Sequence, residues 1–434
     1  MKSYRLSELA QEVIEDLCRR NPISDAALME TCREIFAQVS ADGDEAIRLL
    51  TERFDGVKPD AIRVDRERFV QAGKEISTEV QEALEEAARN IKKFHASQQM
   101  VEEAVEIRKG VLCWRENRAI DSVGLYVPGG NAVLPSTVLM LGIPARLAGC
   151  QRIQLCVPPG RDGRVASEVL VAAEIAGISD VFAIGGAQAI AAMTLGTESV
   201  PAVDKIVGPG NRWVQGGKLL AMLAGTAIDM VAGPSEVLVM ADDSASPDLI
   251  CSDLISQAEH GSDSRAILVS TSSTIVEQVT QLIWSQIEDL PRREYAQAAL
   301  KDSFAVLAES LETAFEFANQ YAPEHLVLHL EDPGEWVEEV QSAGSVFLGV
   351  WSPEVAGDYA SGTNHTLPTS GLARAYSGVS LDTFVKKITF QELTQQGLTE
   401  LAPILETLAD MEGLEGHRRA VRARLEKGKV TPNP

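Results

Sequence analysis

The apolar positions of this chain change period twice. Over the first hundred residues they recur at helical spacing, as in Leu6, Leu9, Val13 and Leu17 and again in Leu84, Ala87, Ile91 and Phe94. Ser24-Asp-Ala-Ala-Leu28 opens another helix, with Ser24 placed as its N-cap. Residues 1–100 are accordingly predicted to be mainly helical. From about residue 120 short β-rich runs take over: Ser122–Val127, Ile153–Val157, Val181–Ile184, Lys205–Val207, Glu236–Met240, Ala266–Val269, Leu326–Leu330 and Ser345–Leu348. Windows of helical period separate most of them, which is the alternation of parallel α/β units with helices on both faces of a sheet. After residue 378 the pattern returns to helix, with Leu401, Leu405 and Leu408 ahead of Leu414-Glu-Gly-His417.

Glycine-rich turns follow several of the strands: Pro128-Gly-Gly-Asn131, Gly185-Gly186 and Gly208-Pro-Gly-Asn211. In open α/β sheets the loops at the carboxyl ends of strands hold ligands. No full GxGxxG occurs, so the standard dinucleotide fingerprint is absent. Gly208-Pro-Gly-Asn211 ahead of a helix suits a phosphate, and equally a tight turn with no ligand.

Composition narrows the classes. At 434 residues the chain has room for about three domains, and 45% hydrophobic with 24% charged residues is a globular balance. A formal charge of -24 repels phosphate backbones and anionic lipid, which argues against nucleic acid and membrane surfaces as partners. Six cysteines without CxxC spacing read as reduced thiols, and the N-terminal residues lack the apolar run of a signal peptide, so a cytoplasmic location is expected. The most apolar stretch, 133–150, is interrupted by Pro135, Pro144 and Arg146 and is no membrane span.

The candidate chemistry lies in the histidines. Four of the six, His260, His325, His365 and His417, sit in polar, glycine-containing segments with a carboxylate or amide close by. Imidazole, carboxylate and amide together form the ligand set of a catalytic zinc site. Gln257 and His260, three apart in a helical window, are placed on one helix face, with a plain helix C-terminus before Gly261 as the alternative. Asp358 and His365 fall in what reads as a long polar loop after a strand, where function concentrates, although a surface turn is the other reading. Glu324-His325, fixed by Pro323 ahead of a strand, suits general acid–base work. His329, inside that strand, and His95, on a long helix, read as structural.

Taken together these segments resemble the histidinol dehydrogenase family. The matching phrases are Tyr126-Val-Pro-Gly-Gly130, Ile184-Gly-Gly-Ala-Gln188, Gly208-Pro-Gly-Asn211, Ile228-Asp-Met-Val-Ala-Gly-Pro-Ser-Glu-Val237, Ser256-Gln-Ala-Glu-His260, Tyr321-Ala-Pro-Glu-His-Leu326, Gly357-Asp-Tyr-Ala-Ser-Gly-Thr-Asn-His-Thr-Leu-Pro368 and Glu412-Gly-Leu-Glu-Gly-His417. They run in order through nearly the whole chain. Val231, where the family pattern leads one to expect proline, is a minor departure.

The resemblance implies an α/β fold of two incomplete Rossmann-like domains with small helical N- and C-terminal domains, in an intertwined homodimer. The implied division is a helical segment over 1–23, a first Rossmann-like domain from 24–125 and 237–378, a second, on the NAD side, over 126–236, and a helical tail over 379–434. It implies zinc held by Gln257, His260 and Asp358, with His417 from the other subunit, and acid–base roles for Glu324 and His325. Substrate contacts fall to Ser235, Gln257, His260, His325, Asp358, His365, Glu412 and His417, and NAD contacts to Tyr126, Gln188 and Asn211. The implied reaction takes L-histidinol through L-histidinaldehyde to L-histidine with two NAD. The rival readings are a paralogous zinc and NAD dehydrogenase of another small diol or amino alcohol, such as a sulfopropanediol, a zinc hydrolase without nicotinamide, and a non-catalytic binding protein. His365 and Glu412, which suit a cationic imidazole-bearing substrate, argue against the paralogue.

Overall fold

The computed structural model describes residues 1–20, 26–59, 61–99, 102–129 and 133–427. Ser24, expected as a cap, and Gly130 and Asn131 of the first glycine turn lie outside these residues.

The chain opens on strand β1 (Lys2–Arg5) and helix α1 (Gln11–Cys18), followed by α2 (Ala26–Asp55, broken at Gly43), α3 (Arg66–Glu75) and α4 (Thr78–Ala96). Strands β2 (Val105–Arg108) and β3 (Val111–Ala119) come next. Strands and helices then alternate: β4 (Ser122–Tyr126), α5 (Pro135–Ala148), β5 (Arg152–Val157), α6 (Ser167–Ile175), β6 (Asp180–Ala183), α7 (Gly186–Leu195), β7 (Lys205–Val207), α8 (Arg212–Leu223) and β8 (Ala227–Ile228). A second series runs β9 (Glu236–Ala241), α9 (Pro247–Ala258), β10 (Arg265–Ser270), α10 (Ser273–Gln286), α11 (Arg293–Asp302), β11 (Phe304–Leu307), α12 (Leu311–Tyr321), β12 (His325–His329), β13 (Ser345–Leu348) and the short α13 (Glu354–Tyr359). The chain closes with β14 (Val385–Leu393), α14 (Gln395–Met411) and α15 (Glu415–Lys427).

These elements divide into two compact units, residues 1–98 with 120–384 and residues 99–119 with 385–434. The larger unit holds two parallel sheets, ordered β6-β5-β4-β7-β8 and β1-β11-β10-β9-β12-β13. Counted within its own series, each runs 3-2-1-4-5, the order of an open doubly wound sheet, and β1 is added to the edge of the second. Strands β4, β9 and β12 are buried along their whole length, as expected for parallel strands covered on both faces. That explains why they read as continuous apolar runs. Leu125, Leu155, Val237 and Val327 have no exposed surface, and each such side chain contributes roughly 1.5–3 kcal/mol of burial.

The smaller unit is a three-stranded antiparallel sheet, β14-β3-β2, with the helical hairpin α14–α15. It buries little: Val111, Ala402 and Ala409 are covered, while Leu408, Met411 and Leu414 are exposed.

All eight strands expected between 122 and 348 are present, to within a residue or so at each end. Elsewhere the sequence reading needs correction. Residues 2–5 form a parallel strand against β11 and not the start of a helix, with Tyr4 edge-on to Phe304 at 5.9 Å. A four-residue edge strand whose partner lies three hundred residues away leaves no local period to read. The tail begins with the nine-residue β14, paired to β3, before it turns helical. The packing also regroups the helices of 26–96: α2 lies on α7 and α8, α3 on α6, and α4 on α5. They therefore belong with the five-stranded sheet, as does β4, whereas the expected division set 24–125 with the other one. Among the described residues no helix is long and apolar enough to cross a membrane.

Candidate active site

A cleft of ≈ 890 Å³ opens in the larger unit, and residues of both sheets line it. From the five-stranded sheet come Pro128, after β4, and Gly208–Asn211, after β7, the two loops at the point where the strand order reverses. Gly208 has φ +136, and a Cβ there would collide with the Tyr126 carbonyl oxygen, so only glycine lets the loop pass the end of β4. Asn211 caps α8, its Oδ1 accepting from the N–H groups of Trp213 (3.0 Å) and Val214 (3.2 Å).

The opposite wall departs from the rule used on the sequence. Ser235 and Glu236 stand at the amino end of β9, and Glu324 and His325 at the amino end of β12. These neighbouring parallel strands put their starts side by side, with His325 opposite Val237. The Glu236 N–H donates to Glu324 Oε2 at 2.9 Å, and its carbonyl oxygen lies 3.3 Å from His325 Nδ1. One residue's backbone thus holds both acid–base candidates. Its own carboxylate is buried, receives the Ser370 N–H at 3.0 Å and faces the Arg20 guanidinium at 3.5 Å, which lies over the Tyr321 ring. Ala322 and Ser370, next to these groups, adopt left-handed backbone (φ 52 and 57), which costs a non-glycine residue about 1–3 kcal/mol and clusters at functional sites.

Gln257 lies in the last turn of α9, buried, with neither amide atom hydrogen-bonded. His260 lies beyond the helix, in the turn that follows it, and both residues line the cleft. The His260 N–H still donates to the Gln257 carbonyl (3.2 Å), and its Nδ1 sits 2.9 Å from the Ser256 carbonyl oxygen. A carbonyl only accepts, so Nδ1 carries the proton and Nε2 keeps its lone pair. Asp358 is on a helix, α13, and not in the expected loop; Ser352-Pro353-Glu354 was the unread start signal. Its Oδ1 is 3.7 Å from His325 Nε2. His365 is held by Thr137 Oγ1 at 3.2 Å, and the adjacent Asn364 donates to the Met140 carbonyl at 2.6 Å, which fixes this segment to α5.

Burial sets the electrostatics. It pushes the Glu324 carboxyl well above the carboxylate range, against the Glu236 N–H, which favours the charged form. It pushes Glu354 up in the same way, aided by Asp358 and Glu324. His325 is pushed down to about 4 by burial, and His365 is lowered for the same reason. Burial thus favours the uncharged form of both groups: the imidazole stays neutral, and the affinity of the neighbouring carboxyl for its proton is raised toward neutral pH.

The structure thus gathers Ser235, Gln257, His260, Glu324, His325, Asp358, His365 and Asn211 around one cleft. Tyr126 and Gln188 do not line it: both are interior, and the Tyr126 hydroxyl accepts from the Gly186 N–H at 3.0 Å. Glu412 and His417 belong to the smaller unit, where both are exposed. Arg20, Glu236 and Glu354 were not foreseen. Glu236 sits inside a matched phrase and Glu354 at a helix start, but nothing in the sequence ties Arg20 to the site.

Two doubly wound sheets sharing a cleft of imidazoles, carboxyls and a free amide define an α/β protein with a polar site at the switch point of one sheet. A sequence model of the histidinol dehydrogenase family matches residues 18–425, and the chain belongs to that family. It is 49% identical to the chloroplastic histidinol dehydrogenase of Arabidopsis thaliana over 428 residues, covering 98% of this chain and 91% of that protein. It is 47% identical to the histidinol dehydrogenase of Vibrio parahaemolyticus, with 98% and 99% covered. The crystal structure of histidinol dehydrogenase from Elizabethkingia anophelis matches with a TM-score of 0.95 at 45% identity, covering 98% of both chains.

Proposed function

We propose that this chain oxidises L-histidinol through L-histidinaldehyde to L-histidine, reducing two NAD, in a cleft that holds one zinc ion. The observation that carries the reading is the set of buried polar atoms without partners that converge there: both amide atoms of Gln257 and His325 Nε2. Leaving such a group unsatisfied costs about 1–3 kcal/mol, so the cleft is built for something the chain does not itself supply.

Gln257, the free Nε2 of His260 and Asp358 suit zinc as amide, imidazole and carboxylate donors. Among the described residues no three His, Cys, Asp or Glu side chains are gathered closely enough to hold an ion alone. An amide in the set and a fourth ligand, His417, from a second copy of the chain are consistent with that. The exposed Leu408, Met411 and Leu414 beside His417 support a tail that seats on another subunit. Zinc has no redox chemistry and supplies binding and orientation of the amino and imidazole nitrogens of substrate. The hydride acceptor is nicotinamide, and we assign its side of the cleft to Asn211 and the Gly208–Gly210 backbone at the switch point, with Tyr126 and Gln188 supporting the Gly185-Gly186 turn from inside.

In the first half-reaction His325, neutral through burial, takes the hydroxyl proton at Nε2 as the carbinol carbon gives up a hydride. In the second, Glu324 takes a proton from water as the water oxygen bonds to the aldehyde carbon; the resulting hydrate anion gives its hydride to the second nicotinamide and its remaining hydroxyl proton to solvent, leaving the carboxylate. His365, Ser235 and Glu412 bind the polar ends of the substrate. Six cysteines, all free, suit a reducing cytoplasmic compartment. The test is NADH counted per histidine formed by purified, metal-analysed protein supplied with histidinol: two is expected. One NADH with release of aldehyde, or faster turnover of another amino alcohol or diol, would overturn the assignment.

A further inference from the structure

Glu354 opens α13, and its carboxyl is buried to 1% exposure, yet neither oxygen has a formed hydrogen bond. A buried carboxyl in that state is costly, and an apolar residue of similar volume would relieve the cost. Its surroundings say what it is for. Glu354 Oε1 lies 3.4 Å from His325 Nδ1, within reach though not aligned, as catalytic contacts often are before substrate closes a site. One helical turn on, Asp358 Oδ1 lies 3.7 Å from the other ring nitrogen, Nε2. The i, i+4 spacing of α13 therefore sets a carboxyl at each nitrogen of one imidazole.

The direction of the proton follows from a third group. His325 Nδ1 is also 3.3 Å from the Glu236 backbone carbonyl oxygen, which can only accept. Nδ1 must then carry the hydrogen, and Nε2, which has no hydrogen-bond partner, keeps its lone pair on the cleft side. The remaining carboxyl near Nδ1, Glu324 Oε2 at 3.7 Å, is already engaged by the Glu236 N–H. Glu354 is the one carboxyl at this ring with no other task. Building on the proposed role of His325 in the alcohol step, we infer that Glu354 is a positioning residue: with the Glu236 carbonyl it holds His325 in the Nδ1–H tautomer, presenting Nε2 to the substrate hydroxyl.

The test compares Glu354→Met, which keeps volume but has no acceptor, with Glu354→Gln, which keeps a carbonyl oxygen. The two half-reactions are measured separately from histidinol and from histidinaldehyde. In Glu354→Met the kcat of the alcohol step should fall about 10–100-fold, the usual cost of losing the partner that orients a functional histidine, with KM for histidinol roughly unchanged. The aldehyde step should fall far less, and Glu354→Gln should recover most of the loss. Independently, NMR of the unmodified protein labelled with nitrogen-15 histidine should show His325, identified by its absence in His325→Asn, as a single Nδ1–H tautomer. An Nε2–H ring there, equal losses in the Gln and Met variants, or equal losses on both half-reactions would overturn the inference. The tautomer is read without turnover, so failure of the unmodified protein to oxidise histidinol would sink the functional proposal separately.

Discussion

Lys218 offers a measurement that joins fold to site. It lies on α8 with no exposed surface, its Nζ paired with the Asp229 carboxylate and donating to the Gly208 carbonyl at 3.0 Å. Asp229 Oδ2 accepts the Gly208 N–H at 2.8 Å. The ion pair therefore fastens both backbone groups of the glycine that carries the loop into the cleft. Lys218→Met removes the cation and leaves a buried carboxylate unpaired, a change that costs about 3–5 kcal/mol. The neighbouring Lys205 also acts on Asp229, so the lower end, about 3 kcal/mol, is the expectation. Against a typical total of roughly 5–15 kcal/mol that loss is easily seen.

The informative comparison is the double variant Lys218→Met/Asp229→Asn. Asparagine is neutral and still accepts the Gly208 N–H, so the buried-charge penalty disappears and only one hydrogen bond, about 1 kcal/mol, stays lost. In urea unfolding the double variant should therefore be more stable than the Lys218→Met single variant by about 2 kcal/mol. The loop should loosen in Lys218→Met, raising KM for NAD while leaving the metal content unchanged. A single variant within about 1 kcal/mol of the parent, or a double variant no more stable than the single, would refute the argument that a buried, mutually neutralised pair holds this loop.

The site yields further expectations. Glu324→Gln should slow histidinaldehyde oxidation about 10²–10⁴-fold and alcohol oxidation far less. Because burial raises the Glu324 carboxyl and a base works only above its pKa, the aldehyde step should gain rate with pH at a higher pH than an ordinary carboxylate would impose, and lose it as pH falls; equal losses on both steps, or a limb in the ordinary carboxylate range, would count against the division of labour. Refolding a mixture of His260→Ala and His417→Ala should restore up to about a quarter of the parent activity, since half the dimers are mixed and each then has one intact site. Well-formed dimers without recovered activity would show that His417 does not act across the interface.

How much of this was legible in the sequence depended on the range of the interaction that fixes each element. Most of the eight expected strands are apolar runs buried on both faces, and those runs announced them. Strands β1, β2, β3, β8, β11 and β14 escaped: β8 and β11 are only two and four residues long, and the others have partners far along the chain or residues that are largely exposed, as in β2 and β14, where burial imposes no clear alternation. Histidine roles were separable by chemistry. His329, read as structural inside a strand, is buried against Asp253 at 2.7 Å, and His95 holds the Ile91 carbonyl at 3.0 Å. Asp358 was picked out as a site residue but placed in a loop, and that error hid Glu354. Once residues 354–359 are helical, a carboxylate at i implies a second group four residues on, facing the same ring. The sequence therefore carried the pieces of the His325 environment but not their pairing, which is set where β9 and β12, almost ninety residues apart, begin side by side. Only that register brings the Glu236 carbonyl to the imidazole and decides which of its nitrogens can take a proton.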